Sequence, residues 1–103
     1  MHSIIRQSPL ALIVEDDDTM RTMIREVLEQ IGLAVEEAED GAIGLERFHT
    51  LRPDIVLLDV KMPNMDGFTF CSRVRNTPHG QHVPILMMTA TEDTASIERA
   101  YDA

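Results

Sequence analysis

Residues 54–67 read Asp-Ile-Val-Leu-Leu-Asp-Val-Lys-Met-Pro-Asn-Met-Asp-Gly. The first half is an apolar run with β-branched members between turn residues, the pattern of a buried strand over Ile55 to Asp59. Such a strand delivers the Asp59 carboxylate at its C-terminal end. Asp is common where strands turn, so the position alone fits an ordinary strand end as well as a functional acid. The second half passes through Met62-Pro63 and closes on Asp66-Gly67, which opens a helix with Phe68, Cys71 and Val74 facing inward.

Upstream, Leu10 to Val14 is a continuous apolar run that ends abruptly in Glu15, Asp16, Asp17 and Asp18. It reads as a buried parallel strand with an acidic C-terminal edge. Asp18 is expected to cap the next helix, in which Met20, Met23, Ile24, Val27, Leu28 and Ile31 recur at helical spacing. That spacing predicts a stripe packed on the sheet, with the methionines in the core, and Gly32 as the stop. Leu33 to Ala38 is a weaker, half-polar edge strand, and a second helix over Ala42 to Leu51 offers Leu45 and Phe48 to the sheet. Downstream of the opening stretch, residues 76–81 form a polar loop. Val83 to Met88 is a fourth strand ending at Thr89, and Thr91 to Thr94 lead into a fourth helix with Ile97, Ala100 and Tyr101 inward.

Four alternations of apolar strand and amphipathic helix imply an α/β fold: a doubly wound parallel sheet, of order 2-1-3-4, with helices on both faces. Residues 1–9 read as a tail and residues 10–103 as one domain. Ligands of such sheets sit outside the carboxyl ends of the strands where the winding reverses, here between the first and third strands. Those ends carry Glu15 with Asp16, and Asp59.

Composition narrows the chemistry. Eighteen acidic against nine basic residues leave a net charge of −9 and no basic stripe, which argues against direct nucleic-acid binding. No apolar run is long enough to span a membrane, and a cytoplasmic location is the default expectation. The single cysteine, Cys71, excludes an intrachain disulfide and reads as a small apolar residue on a helix face. The histidines at 2, 49, 79 and 82 lack metal-ligand pairing and are expected at the surface.

Three carboxylates at one strand edge repel one another, and a hard divalent cation with oxygen ligands relieves them. Mg²⁺ (or Mn²⁺) is the first candidate. Asp16 and Asp59 are expected as direct ligands, with Glu15 acting through a metal-bound water and the Lys61 backbone carbonyl reaching the same ion. Thr89 offers a hydroxyl to a phosphoryl oxygen. A carboxylate beside such an ion can attack phosphorus and form an acyl phosphate, which makes Asp59 the candidate nucleophile.

With these residues in place, the chain resembles the receiver domain of two-component response regulators from Leu10 to Ala103. The matching pieces are Leu-Ile-Val-Glu-Asp-Asp at 12–17, Arg52-Pro53-Asp54, the run from Leu57 to Gly67, and Pro-Ile-Leu-Met-Met-Thr-Ala at 84–90. The resemblance implies a flavodoxin-like receiver fold in which Asp59 accepts phosphate from a phosphohistidine on a sensor histidine kinase or phosphotransfer protein. It implies Glu15 and Asp16 as the acid pair, Lys61 lending its carbonyl, Thr89 and Ala90 as the phosphoryl-binding switch, and Met62, Pro63, Asp66 and Gly67 shaping the loop. It further implies an output domain or effector partner. The stretch from Thr77 to Tyr101 looks more like receivers joined to cyclic-dinucleotide enzymes than to DNA-binding ones.

Two departures accompany the resemblance. Glu15 stands where many members have Asp. The fifth strand with its terminal lysine and the last helix do not follow, so the chain is expected to be a fragment of a longer regulator, or to pair as a homodimer through its fourth strand and helix. Two other readings compete: a docking or dimerisation module that makes no use of phosphate, and an aspartate-nucleophile phosphatase. The phosphatase requires a second acid two residues beyond Asp59, where this chain has Lys61.

Overall fold

The computed structural model describes residues 8–60, 62 and 65–88. Its strands are β1 (Leu10–Val14), β2 (Ala34–Ala38), β3 (Ile55–Asp59) and β4 (Ile85–Met88). They pair in parallel in the order β2-β1-β3-β4, as the sequence predicts. β1 is central and all five of its residues are buried, which is why it tolerates no alternation of polar and apolar positions. The helices are α1 (Asp18–Gln30), α2 (Gly41–Leu51) and α3 (Gly67–Arg75), followed by a 3₁₀ turn at His79–Gln81.

Two apolar layers follow from the pleat. On one face Leu12, Val14, Val56 and Leu58 pack with Phe48 of α2 and with Phe70, Cys71 and Val74 of α3. On the other, Ala11, Ile13, Val35 and Leu57 pack with Leu28 of α1. Phe70 is fully buried although the sequence points to Phe68, which is only partly buried at the rim of the same layer. Burial pushes the Cys71 thiol up to about 11, as befits a small apolar residue.

Each helix begins on an aspartate at the C-terminal edge of the sheet. Asp17 accepts the Met20 N–H at 2.8 Å, Asp40 the Ile43 N–H at 2.8 Å and Asp66 the Thr69 N–H at 2.8 Å. Such caps contribute about 1 kcal/mol each. The cap of α1 is therefore Asp17, one residue before the expected Asp18, because Asp17 is the last residue with extended backbone. Gly32, at φ 99°, ends α1 and Arg52, at φ 50°, ends α2. β2 and β4 begin one and two residues later than their apolar runs suggest.

The stripe of α1 departs most from expectation. Ile24 and Leu28 reach the sheet layer, but Met20, Met23, Val27 and Ile31 are 45–70% exposed. The arginines of α1 lie on the flank that does meet the sheet. The Arg25 guanidinium binds the Val35 carbonyl and the Glu37 carboxylate, and Arg21 Nε donates to Glu37 Oε1 at 2.8 Å, so one flank of the helix is tied to β2. The opposite flank, bearing the methionines, turns away from that contact. Leu86, which alternates with the buried Ile85 and Met87 and so shares the α1 face of the sheet, is 51% exposed. The expectations for the fourth helix lie outside the described residues.

Candidate functional site

β1 and β3 are neighbours in register, Val14 beside Leu58. The next residue of each strand therefore lies at the same edge: Glu15 just beyond β1, and Asp59 as the last residue of β3. β1 is followed by a crossover to β2 on one side, and β3 leads to β4 on the other, so this is the point where the winding reverses. Oxygen atoms of Glu15, Asp16 and Asp59 all lie within 4.8 Å of one another. Glu15 is buried, Asp59 half-buried and Asp16 exposed. The set thus runs from a floor to an open rim.

None of these three acids caps a helix among the described residues; that role falls to Asp17, Asp40 and Asp66. The separation matters, because capping would have given the acidic edge an ordinary explanation. Glu15 is held on several sides. Its N–H donates to the Ala38 carbonyl at 3.0 Å, its Oε2 accepts the Asp17 N–H at 3.1 Å, and its carbonyl accepts Arg21 Nη1 at 2.7 Å.

Burial raises the Glu15 pKa from 4.5 to about 7, and hydrogen bonding to the Asp59 and Asp16 side chains and the charge on Asp59 push it the same way, against the Asp17 N–H. At neutral pH Glu15 is therefore divided between its protonated and ionised forms, and the proton it holds relieves part of the repulsion in the cluster. A divalent cation with oxygen ligands takes over that role without leaving buried charge uncompensated. The donor set, all carboxylate oxygens with one open side, fits such an ion.

The two described ends of the connection after Asp59, Val60 and Gly67, are pressed together. Gly67 N–H donates to the Val60 carbonyl at 3.1 Å, and a Cβ on Gly67 would lie 3.0 Å from Val60 Cα and 2.5 Å from Met87 Cε. Met62 is buried, and Gly41 leaves room for Met65, whose Cβ would lie 2.8 Å from a Cβ on Gly41. Gly67→Ala is expected to cost about 2 kcal/mol, since backbone as well as a flexible methyl must shift. Chemical denaturation checks this; an unchanged midpoint would contradict the close packing.

Of the residues singled out from the sequence, the structure brings Glu15, Asp16 and Asp59 together and places Met62, Asp66 and Gly67 in the adjoining connection. Lys61, Pro63, Thr89 and Ala90 lie outside the described residues. Sequence reasoning missed Arg21. Its signal was present as an arginine three residues after Asp18, but its hydrogen bond to a backbone carbonyl six residues back is a tertiary matter. It also missed His79, half-buried, whose Nε2 lies 2.9 Å from the Pro53 carbonyl.

A parallel α/β sheet with three carboxylates converging at the winding reversal defines a receiver-type signalling domain. The chain belongs to the response regulator receiver domain family, whose sequence model it matches over residues 11–103. It is 41% identical over 92 residues to the transcriptional regulatory protein CseB of Streptomyces coelicolor, covering 89% of this chain and 38% of CseB. It is 39% identical over 92 residues to the response regulator MprA of Mycobacterium, covering 89% of this chain and 39% of MprA. The chain thus spans well under half the length of these curated relatives. Among solved structures, the chemotaxis response regulator CheY4 of Vibrio cholerae superposes with a TM-score of 0.83 at 33% identity, covering 89% of this chain and 77% of that one. The N-terminal domain of a response regulator receiver protein from Methanoculleus marisnigri gives 0.78 at 31%, covering 90% and 78%.

Proposed function

We propose that this domain, with boundaries at residues 10–103, is the phosphoacceptor of a two-component response regulator, with Asp59 as the residue modified. The observation that carries the reading is the convergence of Glu15, Asp16 and Asp59 within 4.8 Å at the winding reversal. Asp59 sits on a rigid buried strand, so its carboxylate is presented at a fixed position with little ordering left to do. One of its oxygens attacks the phosphorus of a phosphohistidine. The oxygen–phosphorus bond forms, the phosphorus–nitrogen bond breaks, and the imidazole leaves with the electron pair and takes up a proton.

A Mg²⁺ ion bound by Asp16 and Asp59, with Glu15 acting through water and Lys61 through its carbonyl, would neutralise the charge of the incoming phosphoryl group. Thr89 and Ala90 are the proposed contacts to the phosphoryl oxygens and the start of the switch. The partners are a sensor histidine kinase or phosphotransfer protein on the input side and an output domain or effector on the other. Names such as transcriptional regulatory protein, borne by CseB, favour a transcriptional output over a cyclic-dinucleotide enzyme.

Incubating the full protein with Mg²⁺ and a small acyl phosphate, followed by intact mass, tests this. The expected product carries one added phosphoryl group and needs the metal. No added mass at saturating Mg²⁺ would reject the proposal.

A further inference from the structure

The acid site is supported by one side chain that lies outside it. Arg21 makes three interactions at once: Nη1 with the Glu15 carbonyl at 2.7 Å, Nε with Glu37 Oε1 at 2.8 Å, and Nη2 with Asp18 Oδ1. Only 14% of its side chain is exposed. The Glu15 carbonyl belongs to the peptide plane that joins Glu15 to Asp16. Its N-terminal neighbour plane is fixed independently, through the Glu15 N–H and the Ala38 carbonyl. Pinning both planes fixes the backbone torsions of Glu15 and the position of Asp16 Cα, and so the base from which the two carboxylates project.

The same guanidinium also deals with charge. It is paired with Asp18 and with Glu37, the latter shared with Arg25. Arg21 therefore orders the acidic bend while setting no unpaired cation beside the metal ligands. Its planar fork suits this task, since a lysine ammonium cannot hold three differently placed acceptors in fixed geometry.

We infer that Arg21 is a positioning residue for the metal site, acting through the Glu15–Asp16 peptide. The inference rests on the reading of Glu15, Asp16 and Asp59 as a Mg²⁺ site. Arg25 provides the contrast. It ties the same helix to the same Glu37 and to the Val35 carbonyl, yet among the described residues it makes no hydrogen bond or ion pair with Glu15, Asp16 or Asp59. Arg25 therefore serves as the control for the helix-to-sheet tie that the two arginines share through Glu37.

The test is a Mg²⁺ titration of the full protein at neutral pH, followed by amide chemical shifts, in wild type, Arg21→Met and Arg25→Met. Removing a group that orients metal ligands is expected to weaken Mg²⁺ binding about tenfold in Arg21→Met and less than about twofold in Arg25→Met. Phosphorylation of Arg21→Met should recover at saturating Mg²⁺, which a partly unfolded protein would not do. Should Arg21→Met fail to fold, Arg21→Lys takes its place, with a loss of about threefold expected. Wild-type affinity in the Arg21 variants, or equal losses in both arginine positions, would overturn the inference. If wild type itself shows no Mg²⁺-dependent shift, the reading of the acid site fails, and this inference falls with it.

Discussion

Asp59→Asn is expected to reduce phosphoryl uptake to background while leaving the fold intact. Asn is close in shape to Asp but carries a weakly nucleophilic amide in place of the carboxylate, so no acyl phosphate forms. Mg²⁺ binding should weaken as well, because one of the three converging carboxylates is gone. The metal-free variant should be no less stable than wild type at neutral pH, since the charge on Asp59 is one of the causes holding the Glu15 pKa up. Intact mass, Mg²⁺ titration and thermal melting check the three parts. A variant that still gains the phosphoryl group would show that another residue is the acceptor. Asp59→Asn also distinguishes a signalling receiver from a docking module, which would keep its partner affinity and lose no response.

A second large effect belongs to Glu15. Its folded pKa, about 7, lies above its ordinary value of 4.5. Below 4.5 both folded and unfolded chains carry the proton, and Glu15 has no effect on stability. Between 4.5 and about 7 the folded chain holds a proton that the unfolded chain has released, so metal-free stability falls as pH rises. Above that window the full penalty applies, on the order of 3 kcal/mol. Glu15→Gln should remove this slope and make the metal-free protein more stable than wild type in mildly alkaline buffer. Mg²⁺ should stabilise wild type most where Glu15 is ionised.

An opposite slope comes from Glu37. Burial would raise its pKa, but Arg25 and Arg21 together outweigh that and lower it. Its contribution is present above the unfolded value and lost as pH falls through the folded one. Denaturant midpoints measured against pH, with and without Mg²⁺, separate the two. A metal-free Glu15→Gln profile that matched wild type across the upper window would contradict the buried-acid account.

The strands were legible because burial on both faces forces near-continuous apolar runs, as in Leu10 to Val14 and Ile55 to Leu58. The site was legible because both runs end in acids, and topology brings those ends together. α1 was not, and the reason is instructive. Six apolar residues at helical spacing cover an arc wider than one sheet contact, and the sequence alone leaves open which part of the arc faces inward. The part that meets β2 is marked by Arg21 and Arg25 binding Glu37, a pairing between residues 12 and 16 positions apart. The cap of α1 was similarly ambiguous, with Asp17 and Asp18 equally suited by residue type. In α3 Cys71 and Val74 are flanked by Phe68 on one side and Phe70 on the other, about 200° apart round the helix, and residue type alone does not say which phenylalanine the sheet covers.

Asp59 is the proposed acceptor. Borohydride reduction of the phosphorylated full protein converts an aspartyl phosphate to homoserine, and peptide mapping then locates it. Homoserine is expected at position 59, dependent on Mg²⁺ during phosphorylation. Homoserine at position 16, or a phosphoryl group found on a histidine instead, would contradict it.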